Sequence, residues 1–131
     1  MIKESIISII IVILIFIGNS VTENYTKASV EETTQSLEML RKEIIKDESE
    51  VDLNQAKKQI DNIYETWGKR HEKLAFYIEH DELEKVKTEL TGLKGYIEKE
   101  EYKEAVPELD KSVYILEHIK DKTALNLKNI F

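Results

Sequence analysis

Three histidines, no cysteine and a surplus of carboxylates set the chemistry open to this 131-residue chain. His71-Glu72-Lys73-Leu74-Ala75 opens like the zinc-hydrolase helix, in which a second histidine four residues on turns two nitrogens toward one metal. Ala75 stands at that place, so the pattern stops at His71. His80-Asp81-Glu82 groups three ligand types, but side chains one and two apart on a helix diverge. That run reads as a solvated turn. His118 follows Glu117 near an expected helix end, where an imidazole suits the negative end of the helix dipole. Carboxylate-bridged di-iron bundles need Glu-x-x-His, and the residues three before the histidines are Gly68, Tyr77 and Ile115. No glycine-rich phosphate loop occurs, and Ser36, Ser49 and Ser112 have no histidine in a recognisable setting. The sequence thus assigns no catalytic residue, no cofactor-binding residue and no metal ligand, and it points away from an enzyme.

What remains is surface. The six tyrosines (Tyr25, Tyr64, Tyr77, Tyr96, Tyr102 and Tyr114) stand mostly one step off the apolar stripes. That is the pattern of half-buried boundary packing or of a partner groove rimmed by aromatics. Tyr64, Trp67 and the apolar ending Leu125, Leu127, Ile130 and Phe131 make up the candidate interaction surface.

The elements that carry these residues follow from composition and period. Four glycines and one proline, with Leu, Ile, Glu and Lys dominant, favour long helices over turn-rich β structure. The net charge is −7, and Lys3 and Glu4 cancel within the first 21 residues, so the body carries all of it. Its lysines are interleaved with glutamates, which leaves no basic stripe for nucleic acid or for broad docking on anionic lipid. Without cysteine there are no disulfides and no lipid anchor through a thiol. Seventeen lysines against two arginines fit an AT-rich Gram-positive genome by association.

Ile6–Gly18 is apolar except for Ser8, and extending it to Ile2–Val21 gives 20 residues. At 1.5 Å each they reach about 30 Å, one hydrocarbon thickness. A retained N-terminal anchor is the favoured reading. A signal peptide cut after Ser20 (small residues Gly18 and Ser20) and a buried core helix are the alternatives. Lys3 and the α-amino group, opposed by Lys27, place the N-terminus inside and the domain outside.

From about Ala28 the period becomes helical: Val30, Thr33, Leu37, Leu40 and Ile44 share a face. This helix fades at Lys46–Ser49, and Ser49 to Asp52 reads as a cap for the next. The second stripe is Leu53, Ala56, Ile60, Ile63, Trp67, His71, Leu74 and Ile78, with a turn expected at Glu79–Glu82. Leu83, Val86, Leu90, Leu93 and Ile97 form the third. Lys99–Glu101 connects to the fourth, with Tyr102, Ala105, Val106, Leu109, Val113, Leu116 and Ile119. Pro107 either kinks that helix or marks its start. A weak repeat, Leu53-x-x-Ala56-x-x-x-Ile60 against Tyr102-x-x-Ala105-x-x-x-Leu109, opens the second helix of each hairpin. The tail 123–131 is too apolar to be free, and folding back on the bundle is favoured over presentation to a partner.

The short Ile-rich N-terminal span, the charged helical body with Trp67, Leu-Glu-His-Ile at 116–119 and Leu-Asn-Leu-Lys-Asn-Ile-Phe at 125–131 together give a resemblance. The chain resembles the domain-of-unknown-function family 4363, small membrane-anchored proteins of clostridia and related spore formers. Lys120 stands where members often carry proline. The resemblance implies a membrane partner and a sporulation setting, and it implies no activity, cofactor or catalytic residue.

The expected fold is all-α: an N-terminal transmembrane helix (1–22), an extracytoplasmic antiparallel bundle of about four helices in two hairpins (23–122), and an apolar tail (123–131). The expected function is an interaction or structural module at the outer face of the cytoplasmic membrane, held through residues 2–21, with a membrane protein or a second copy as partner. The alternatives are an extracytoplasmic ligand-binding or sensory domain, and a secreted helical protein.

Overall fold

Apolar residues at alternating steps of three and four, almost uninterrupted by glycine or proline, dictate helices that bury one stripe each. The computed structural model describes the backbone of residues 1–130 and the side chains of residues 1–125. Four helices are present: α1 (Ile2–Ile44), α2 (Leu53–Leu74), α3 (His80–Glu98) and α4 (Tyr102–Ile130). Each packs on its neighbour in sequence and α4 closes on α1, while the backbones of the diagonal pairs stay apart. This is an up-down-up-down bundle of two helical hairpins.

The N-terminal span and the first bundle helix, expected as separate elements, are one helix of 43 residues. Nothing in Gly18–Lys27 breaks it: there is no proline, and successive hydroxyls satisfy the backbone behind them. Thr22 donates to Asn19 O, Thr26 to Thr22 O, Ser29 to Tyr25 O and Thr33 to Ser29 O. Residues up to Gly18 are exposed, and packing begins at Asn19.

The core is the one the spacing predicts. Val30, Leu37, Leu40, Ile60, Trp67, Leu83, Leu90, Leu93, Leu109 and Leu116 are all buried. The repeat has a structural counterpart, since Ala56 and Ala105 open α2 and α4 and are both fully buried.

Two boundaries differ from expectation. The cap of α2 is Asp52, whose carboxylate accepts from Gln55 N at 3.1 Å, while its own N–H donates to Glu43 Oε1 rather than to the Gln55 side chain. The second turn lies at 75–79 rather than 79–82, so Ile78 is in the turn and α3 begins at His80. Asp81 and Glu82 instead supply negative charge to the first turn of α3. Pro107 lies inside α4; the acceptor it leaves unused belongs to Lys103, an exposed residue. The tail continues α4 as helix to Ile130. Leu125 is exposed, and the expected packing of Leu127, Ile130 and Phe131 lies outside the described side chains.

Candidate functional site

At the end of the bundle nearest the apolar run, two histidines meet beside a cleft. The antiparallel α2–α3 hairpin places the last turns of α2 beside the first turns of α3. His71 is one helical turn beyond Trp67, and His80 and Glu84 are one turn apart on α3, so each pair shares a face. The turn at 75–79 folds these faces together. The rings of His71 and His80 meet edge-on at 6.3 Å between centroids, and His80 Nε2 lies 3.7 Å from Glu84 Oε1. One ligand atom from each of His71, His80 and Glu84 falls within 4.8 Å of the other two. Two imidazoles and a carboxylate are the donor set of a borderline divalent metal.

Beside this cluster is a cleft of about 250 Å³ lined by Tyr64, Trp67, Gly68, His71, Glu72, Glu84 and Lys87. Trp67 is 2% exposed, and its indole Nε1 is buried without a hydrogen-bond partner. A buried donor left unmade costs about 1–3 kcal/mol, and this one is sealed from solvent behind the cleft wall. Two of the three aromatics of the expected interaction surface, Tyr64 and Trp67, therefore line one cleft, and Phe131 lies outside the described residues. Trp67 is chiefly a core residue whose edge reaches the cleft, and half-buried Tyr64 stands at the rim with Lys94 Nζ 5.8 Å from its ring centroid. Leu125, exposed near the C-terminal end of α4, does not line this cleft.

A second cleft, about 230 Å³, lies where α1 enters the bundle and is lined by Asn19, Thr22, Tyr77, Ile78, Glu79, Glu82, Lys122 and Thr123. Tyr77 ties the α2–α3 turn to α1: its hydroxyl donates to Thr22 O at 3.2 Å and shares a 2.8 Å hydrogen bond with Thr26 Oγ1. Burial raises the Tyr77 pKa, so the phenol stays neutral and able to donate. Lys122 spans to Glu82 at 2.8 Å, with its pKa raised chiefly by that hydrogen bond. Nearby, Arg70 reaches Glu32 and lies over the Tyr25 ring at 5.1 Å; bonding to Tyr25 and then to Glu32 raises its pKa.

Sequence reasoning weighed His71 and His80 one at a time and missed Glu84. Their nine-residue separation has no helical meaning; only the turn brings them together. His118, the third histidine, is exposed on α4. Ser112, buried like Ser29, donates to Glu108 O within its own helix.

The sequence pattern of the domain of unknown function DUF4363 matches residues 21–130. The chain belongs to the DUF4363 family. In this DUF4363 protein the matched region begins at Val21, where the uncovered apolar segment gives way to the packed bundle. No curated protein and no solved structure matches the chain.

Proposed function

We propose that this DUF4363 protein is a non-enzymatic, membrane-anchored interaction module, with its acidic bundle at the outer face of the cytoplasmic membrane. The observation that carries the reading is the continuity of α1. Its first part is apolar, with mean hydropathy 2.4 and no residue covered by the fold. The same helix then supplies a wall of the core. From Ile2 to Gly18 the uncovered rod is about 26 Å long, at the short end of what spans a bilayer. In water it would expose a contiguous apolar surface of the kind soluble monomers avoid. The bundle end that adjoins it is aromatic: Phe76, in the α2–α3 turn, is 89% exposed. Its neighbour Tyr77 fixes that turn beside Thr22. Phe and Tyr at this height suit the lipid–water boundary. The single Lys3 with the α-amino group supports an inside N-terminus.

Cell fractionation with mass spectrometry of the mature N-terminus tests the anchor. The expected result is a chain retaining residues 2–20 in a membrane pellet that resists alkaline carbonate. A soluble chain beginning at Val21 would sink the reading in favour of secretion. Crosslinking before membrane extraction tests the interaction role; recovery of only partner-free monomer would count against it. A ligand-binding role is the second reading, favoured by the unpartnered Trp67 N–H in its cleft.

A further inference from the structure

We propose that His71, His80 and Glu84 form a binding site for one divalent transition-metal ion of the zinc class, which staples the α2–α3 turn. Two of the three histidines in the chain converge on one carboxylate from opposite sides of a five-residue turn. In a tetrahedral site with bonds of about 2.0–2.1 Å, ligand atoms stand roughly 3.3 Å apart. The three donors are already within 4.8 Å of one another. Closing the remainder takes a side-chain adjustment, and His80, with 74% of its side chain exposed, is free to make it.

The donor types choose the metal. Two imidazoles disfavour magnesium and calcium, which take oxygen ligands, and the absence of thiolate disfavours soft cuprous copper. Zinc accepts two histidines, one carboxylate and an open fourth position. The second cue is Trp67. Its indole N–H lacks an acceptor, and it lines the same cleft as His71 and Glu84. The N–H is sealed from solvent, so a metal-bound water or hydroxide, or a carboxylate from a partner, taking the fourth position on that side would supply an acceptor once the Trp67 ring shifts toward the cleft.

The alternative is that His80 and Glu84 form only a surface ion pair and His71 merely packs beside them. The two readings separate by titration of the full chain in detergent micelles with zinc alone, followed by calorimetry and by fluorescence of the sole tryptophan. The expected result is one zinc per chain, a changed Trp67 emission and a rise in Tm with zinc concentration. His80→Gln, His71→Asn and Glu84→Gln should each weaken binding at least tenfold. His118→Gln should leave it unchanged. Substitution of cobalt should give the intense visible bands of a four-coordinate ion. His80 is exposed, so its variant keeps the fold, and equal metal-free Tm values for His80→Gln and the parent chain verify this. Absence of saturable one-to-one binding, or binding indifferent to His80→Gln and His71→Asn, overturns the proposal.

Discussion

Glu100 holds a φ of 58°, in the left-handed region that costs a side chain about 1–2 kcal/mol. Its geometry shows why it is tolerated. Glu101 N donates to Tyr96 O at 2.9 Å and Glu100 N to Ile97 O at 3.0 Å, which is the paired bonding of a Schellman cap. Glycine is the residue that this position favours. Glu100→Gly should therefore raise stability by up to about 1 kcal/mol, read as a higher urea midpoint at unchanged slope. Glu43 is a different case, a buried carboxylate that closes the α1–α2 loop. It accepts from Lys46 Nζ at 2.7 Å and from Asp52 N at 2.8 Å, and these two bonds, Lys46 first, lower its pKa. A lowered folded-state pKa gives stability that is complete above the unfolded value of about 4.3 and disappears as pH falls through the folded one. Glu43→Gln should thus cost about 1 kcal/mol at neutral pH. The gap to the parent chain should close toward about pH 3. A gap equally wide at both pH values would mean that the carboxylate charge is not what closes the loop.

Helices were the legible element because each buries one stripe, and a stripe is written in the spacing. Val30, Leu37 and Leu40, like Leu83, Leu90 and Leu93, are fully buried where the period puts them. Turns were less legible, because their positions are settled by contacts that no local pattern records. The 75–79 turn is held by Tyr77 bonding to Thr22 and Thr26, more than 50 residues earlier. The candidate metal cluster shares that origin: its histidines meet only once the turn is placed. The continuity of α1 was not legible, because its hydrophobicity changes character near residue 20 whereas its backbone does not. Within α2, Gly68 is a weak point that the fold does not require. A Cβ there would meet nothing within 4 Å, so Gly68→Ala should add roughly 0.5–1 kcal/mol through helix propensity alone. Thermal unfolding checks this, and a loss of stability would show that the glycine is needed for an arrangement other than the one described.

At the scale of the whole molecule, a single rod couples the apolar segment to the bundle, so the height of the bundle above a bilayer is fixed by counting residues. Thr22 lies four residues beyond Gly18, about 6 Å further along the axis. Headgroup layers are about 5–8 Å thick on each side of the hydrocarbon. On the proposed anchor, the Tyr77 bond to Thr22 would hold the α2–α3 turn at headgroup depth and bring Phe76, exposed on that turn, to the boundary. Because the chain has no cysteine, a single introduced thiol reports its own depth. Phe76→Cys, Ile10→Cys and Ile45→Cys, each carrying an environment-sensitive nitrobenzoxadiazole label in vesicles of zwitterionic lipid, form the test. Nitroxides placed high on the acyl chains should quench the label at 76, and nitroxides placed deep should quench the label at 10. Ile45 ends α1 at the opposite pole of the bundle, so its label should stay in water. Quenching at 10 without quenching at 76 would mean that the bundle stands clear of the surface while the anchor holds. Loss of quenching at both would remove the anchor itself, and with it the reason for a rod that carries its apolar half uncovered.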